Sequence, residues 1–305
     1  MTAVSAAGPI GPSDVVPLAV TDRSGMVESV HHGVAVAIDR DGEVAFAAGN
    51  PDAVIYPRSA NKPMQADAML RLGLSLDPPG VALACASHDG SEPHLEVVRS
   101  SLAAHGLGVD ALDNTPAMPL DPDAAHVWCR RGGGADPLHQ NCSGKHAAML
   151  ATCVVRGWPT DGYLDPSHPL QQAITEHVRC LAGPVAHIGV DGCGAPAHAL
   201  STAALARAFA RLARERTRVW EAMNEHPDLV GGPTRDVTLL IRSVPGLMAK
   251  DGAEGVLAAA LPDGRAAAVK IGDGAARAAG VVLGAVLRRV DVDVPTDAIV
   301  GTILG

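Results

Sequence analysis

Aromatic side chains are nearly absent from this chain of 305 residues, in which Trp, Tyr and Phe together make up 2%. The core must therefore be assembled from Ala, Val, Leu and Ile, small enough for helices and strands to approach closely. A hydrophobic content of 47% over this length supplies the material for a sizeable one. Runs of Lys or Arg are missing too, and the formal charge of -9 argues against a surface made for phosphate backbones. Nucleic acid is not an expected partner. No stretch of about eighteen consecutive apolar residues occurs. The best candidate, "AAGVVLGAVL" at 278–287, is short and runs into Arg288 and Arg289, so it reads as a packed helix and no membrane association is expected. The first twenty residues lack a basic start followed by an unbroken apolar run, which makes the cytoplasm the expected compartment.

Other absences narrow the chemistry. The thirteen histidines form no HExxH motif, and "GDGAARAAG" at 272–280 places glycines before a helix without the dinucleotide fingerprint. Six cysteines, Cys85, Cys129, Cys142, Cys153, Cys180 and Cys193, are too few for a disulfide framework in a chain of this size and expected compartment. Free thiols or metal ligands remain.

What is present alternates between two periodicities. "HHGVAVAIDRDGEVAFAAG" predicts a hairpin turning at Asp39 to Gly42, and "EGVLAAALPDGRAAAVKIGDG" a second one turning at Pro262 to Gly264. Between them, "KPMQADAMLRLG", "LEVVRSSLAAHG", "SGKHAAMLATCVVRG" and "HPLQQAITEHVRCLAG" have helical spacing, as do 201–224 and "DVTLLIRSV". "VAHIGV" reads as a short buried strand closed by a turn at "GCGAP", the Asp-, Pro- and Gly-rich stretch 113–140 as an extended surface connection, and 274–290 as a final helix. Strands, many helices, strands and a closing helix predict an α+β fold with an antiparallel sheet, over residues 1–305 as one domain.

One short stretch points to a reaction. In "YPRSANKPMQADAML", Lys62 follows Ser59 by three residues where a helix begins, which places the two on adjacent turns of one face. A serine hydroxyl needs a base to attack a carbonyl, and a lysine serves as one when burial or a neighbouring cation keeps it neutral. An N-cap serine followed by a solvated lysine fits the same letters. A late lysine, Lys270 in "VKIGDG", ends an apolar strand ahead of the last helix, the order seen in serine β-lactamases and penicillin-binding proteins, although the SDN element of those enzymes is absent and "SHDG" occurs instead.

Taken together, "RSANKPMQA", "CASHDGSEPH", "NCSGKHAAML", "GVDGCGAPA" and "VKIGDG" resemble the asparaginase II family, the Rhizobium-type amidohydrolases. The resemblance implies a β-lactamase-like fold, an antiparallel sheet flanked by helices with a largely helical insertion, and hydrolysis of L-asparagine to L-aspartate and ammonia. It implies two serine-lysine tandems, Ser59 with Lys62 and Ser87 with Lys270. Ser59 is taken as the nucleophile, Lys62 as its base, and Ser87 and Lys270 as a proton relay toward the leaving amide. Arg58, next to the nucleophile, is the candidate for the substrate carboxylate. By spacing alone Cys142 and Cys193 are buried thiols. The resemblance turns them, with Lys145, into zinc ligands, Asp191 lying close enough to serve metal or substrate through water. It also implies a homodimer. Another serine hydrolase on the same scaffold, an esterase or β-lactamase, and a non-enzymatic zinc or thiol module are the competing readings.

Overall fold

A computed structural model describes residues 8–295. The chain opens with a long antiparallel ribbon of β1 (Val16–Arg23) and β2 (Met26–Ile38), and β2 turns through Asp39 to Glu43 into β3 (Val44–Ala48) as predicted. After the short β4 (Val54–Ile55) comes a 3-10 turn, Arg58–Asn61, which runs directly into α1 (Lys62–Arg71). Then follow α2 (Pro78–Ala84), α3 (Glu92–Ala103), α4 (Pro122–Arg130), α5 (Ser143–Arg156) and α6 (Pro169–Ala182). β5 (His187–Val190) and β6 (Pro196–Ser201) lead to α7 (Thr202–Arg214), α8 (Arg218–Glu225), α9 (Pro227–Val230) and α10 (Asp236–Ser243). The chain closes with β7 (Met248–Gly252), β8 (Val256–Ala260), β9 (Ala266–Ile271) and α11 (Ala279–Leu287).

The main sheet has the order β1-β2-β9-β8-β7, with β3 also on β2, and all of these pairings are antiparallel. Helices α7 and α11 pack on it, and the alanines of "VLAAA" and "AAAVKI" are what let α7, itself rich in alanine, lie close. A second sheet of three strands has the order β4-β6-β5. The mixed helical and antiparallel architecture is the α+β class read from the sequence. No helix among the described residues is long and apolar enough to cross a membrane.

Four local expectations change. The connection 113–140 contains α4, begun by Asp121, whose carboxylate accepts from the Ala124 amide at 2.8 Å, and by Pro122 in the first turn. The helical run 201–224 breaks in two, because Arg216 takes a left-handed φ of 46° and the Thr217 hydroxyl accepts from the Trp220 amide to start a new helix. β5 is an edge strand with Val190 exposed, not a buried one. The final helix is confined to Ala279–Leu287, with a 3-10 turn at either end.

The sheet meets the helical part at its β7 edge, which lies on the 3-10 turn. A Cβ placed on Gly252 would stand 2.1 Å from the Pro57 carbonyl oxygen, so only glycine permits this approach. Gly252→Ala is therefore expected to cost about 1–3 kcal/mol, the range for an overpacked core site, and to lower the melting temperature. An unchanged melting curve would mean that the contact is looser than described.

Candidate active site

Five pieces of chain meet behind the β7 edge: the 3-10 turn with α1, the residues following α2, the start of α5, the β5–β6 turn, and β7 itself. Lys62, at the first position of α1, is 1% exposed. Its ammonium donates to the Ala86 carbonyl and, at 3.2 Å, to the Ser87 hydroxyl. The tandem drawn by hydrogen bonding is thus Lys62 with Ser87, across 25 residues of chain. Ser59 contributes its carbonyl to the Lys62 amide, while its hydroxyl makes no hydrogen bond among the described residues. Ser59 is half-buried, whereas Ser87 is buried.

The surroundings hold both serines in place. The Ser87 amide donates to the Val230 carbonyl at 3.0 Å and the His88 amide to the Asn141 carbonyl at 3.1 Å, which pins the "SHDG" loop between α9 and α5. Within the SxxK stretch, the buried Asn61 donates its amide to His198 Nδ1 at 3.0 Å, and His198 Nε2 lies 2.9 Å from the Thr175 hydroxyl. Burial takes the His198 pKa down to about 4, so the ring is neutral and its Nδ1 can accept. Asn61 and His198 are positioning residues that spacing alone did not single out. Arg58 precedes Ser59 with a left-handed φ of 53°, a strained conformation for a residue with a Cβ. Its Nε donates to Asp191 Oδ1 at 2.6 Å, an ion pair that holds the turn.

A second buried lysine, Lys250, lies on β7, the edge strand that packs on the 3-10 turn. Its side chain is fully buried, its ammonium donates to the Asp251 carbonyl at 2.8 Å and to the Asp251 carboxylate, and that carboxylate also pairs with Arg235. Burial lowers the Lys250 pKa to about 8; Asp251 opposes the shift and the Lys62 charge adds to it. Lys270 stands elsewhere. Its ammonium is occupied by the Glu254 carbonyl at 2.7 Å and the Ile271 carbonyl at 2.6 Å, and no hydrogen bond among the described residues joins it to Ser87. Both lysines project from the same face of the main sheet, because Lys250 pairs with Ala258 and Lys270 with Val256, two residues apart on β8. Lys250 is on β7, which packs on the 3-10 turn, whereas Lys270 is on β9, two strands further into the sheet.

The thiols gather on the other side of Lys62. Cys142 and Cys193 are buried, and Lys145 donates to the Cys193 sulfur at 3.2 Å. The hydrogen bond from Cys193 draws the Cys142 thiol well below its usual range despite burial, with Lys62 and Lys145 adding to the effect. The same bond, together with burial, pushes Cys193 up. Burial disfavours the Lys145 charge, yet Cys193, Cys142 and Asp191 outweigh it and raise its pKa. For Asp191, burial is likewise outweighed, by the Lys145 charge and by Arg58, and its pKa falls. Among the described residues no three His, Cys, Asp or Glu side chains are placed to hold a metal ion. A zinc site here needs both cysteines and the Lys145 amine, with that amine deprotonated. Two sulfurs and an amine nitrogen, buried together, are a donor set that fits this borderline-soft ion.

The structure thus brings together Ser87, Lys62, Cys142, Lys145 and Cys193, ties Arg58 to Asp191 beside Ser59, and leaves Lys270 on the wall of a neighbouring cavity. Among solved structures, the fold is similar to a β-lactamase from Mycobacterium bovis, at 16% identity and a TM-score of 0.41, covering 88% of this chain and 94% of that one. A candidate β-lactamase from Bacteroides dorei is similar at 14% identity and the same TM-score of 0.41, covering 84% and 93%. No curated protein matches the sequence. The family model for L-asparaginase II matches residues 19–301, almost the whole length, and the chain accordingly belongs to the L-asparaginase II family.

Proposed function

We propose that the protein hydrolyses the side-chain amide of L-asparagine, giving L-aspartate and ammonia, through a serine ester. Family membership supports an asparaginase-like hydrolase. The observation that carries the serine-lysine mechanism is the buried Lys62 ammonium, hydrogen-bonded to Ser87, with a second buried lysine, Lys250, on the strand packed against its turn. Ser59 is the nucleophile in this reading, since it is half-buried and its hydroxyl makes no hydrogen bond among the described residues, while that of Ser87 is buried and already held. Ser87 passes the proton from Ser59 to Lys62. The Ser59 oxygen bonds to the amide carbon, the carbon–nitrogen bond breaks, and the proton held on the lysine side returns to the leaving nitrogen. Water then cleaves the ester by the same relay run in reverse. Arg58 supplies positive charge for the substrate carboxylate, with Asp191 beside it for the substrate ammonium.

Lys250, rather than Lys270, is taken as the second lysine, acting through its charge on Lys62. Two ammonium groups in one dry site repel, so the pair reaches the singly charged state at a lower pH than an isolated lysine would. A lysine is charged below its pKa and neutral above it, and Lys250 titrates near 8. The rate constant kcat/KM for asparagine is expected to rise through pH 7 to 9 and then level. In Lys250→Met it is expected to fall by about 100-fold and to lose that ascending limb, whereas Lys270→Met keeps both the limb and most of the rate. A Lys250→Met profile that still climbs from 7 to 9 would return the role to another group.

Cys142, Cys193 and Lys145 are the residues that would hold zinc, which when bound supplies positive charge close to Arg58 and Asp191 for orienting the amino acid. The resemblance also carries the proposals that the protein works in the cytoplasm and as a homodimer. The deciding experiment compares ammonia release from L-asparagine, L-glutamine and a β-lactam, with and without a chelator. Turnover of the β-lactam alone would favour the competing serine hydrolase.

A further inference from the structure

A cavity of about 580 Å³ lies between the three-stranded sheet and the residues around β9, and the reaction above makes no use of most of it. That size falls within the range of about 300–1,000 Å³ typical of small-molecule sites, and is generous for a free amino acid as compact as asparagine. Its walls are apolar, with Ile10, Val54, Ile55 and Ala199 among them. Two basic side chains and one acidic side chain stand at the wall: Arg58, Lys270 and Glu254.

The two cations are only partly satisfied. Arg58 spends its Nε on Asp191, and its terminal nitrogens make no hydrogen bond among the described residues. Lys270, 7% exposed, gives two of its three N–H groups to backbone carbonyls, and no carboxylate lies within ion-pair distance of it among the described residues. Burial lowers its pKa, with Glu254 and Asp273 acting against the shift. Glu254 is exposed at the rim, so it faces solvent more than the interior. A largely apolar cleft with two cations on its wall, each retaining unused donors, selects for an anion attached to an apolar body.

We infer that this cavity binds an organic monocarboxylate with an extended apolar chain, its carboxylate between Arg58 and Lys270 and its chain against Val54 and Ile55. The inference shares Arg58 with the amidohydrolase reading but needs none of the buried serine-lysine groups, so octanoate binding and ammonia release can fail separately.

Octanoate is a suitable probe for titration calorimetry on the full chain, both unaltered and as Ser59→Ala, with acetate and octylamine alongside. Saturable binding of octanoate at one site is expected in both proteins, with no binding of octylamine and none of acetate at the same concentrations. Lys270→Gln is expected to weaken octanoate at least tenfold, as is Val54→Phe, which fills the chamber without touching a charge. Should Lys270→Gln fail to fold, Val54→Phe still decides. The inference is overturned if octanoate does not bind, if octylamine binds as well as octanoate, or if a folded cavity variant binds it unchanged. An absence of ammonia release from asparagine would sink the proposed reaction and leave this result intact.

Discussion

Ser59→Ala is expected to abolish ammonia release from asparagine, lowering kcat by about 10⁴-fold or more, the scale on which loss of an attacking hydroxyl is felt in serine hydrolases. The fold should survive, because that hydroxyl makes no hydrogen bond among the described residues and the Lys62 amide bonds to the backbone carbonyl of Ser59. Ser87→Ala provides the contrast. It removes one of the two acceptors of the Lys62 ammonium from a buried position, so activity falls and stability changes together. Mass spectrometry of protein quenched during turnover distinguishes the two hydroxyls directly, since the ester must sit on the peptide containing residue 59. An adduct on the peptide containing residue 87 would exchange the roles of the two serines.

Lys62→Met should be almost as damaging, with an expected fall of about 10³-fold in kcat/KM. Here the loss of function and the effect on stability have opposite signs. Methionine replaces a fully buried ammonium whose desolvation opposes folding, while the hydroxyl of Ser87 and the carbonyl of Ala86 lose one donor. An inactive protein that melts no lower than the original would show that Lys62 is retained for chemistry. A variant that is inactive only because it is unfolded would show instead that the ammonium is a structural strut.

Much of this was legible in the sequence, and the reasons it stopped being so are specific. Alternating apolar runs around Asp39–Gly42 and Pro262–Gly264 define hairpins because side-chain period and turn chemistry are local. The start of α1 was legible for the same reason, with Pro63 in its first turn. That Lys250, and not Lys270, lies on the strand packed against the 3-10 turn was not. Each lies in an apolar strand, each is followed by a glycine within two residues, and both project from one sheet face. What separates them is strand order, which places β7 against the 3-10 turn and β9 two strands away, and no local pattern encodes which strand becomes an edge. The partner of Lys62 escaped similarly. A spacing of three suggested Ser59, but the turn before α1 leaves that hydroxyl free, and the loop after α2 delivers Ser87 to the ammonium.

The twisted residue just ahead of Ser59 has a further meaning. Arg58 is kept in its left-handed conformation while its guanidinium grips Asp191, two positions from Cys193. The turn that carries Cys193 and the turn that carries Ser59 are therefore joined within one cluster by a linkage one side chain long. Removing that ion pair, as in Asp191→Asn, is expected to relax the strained Arg58 backbone and the cysteine turn together.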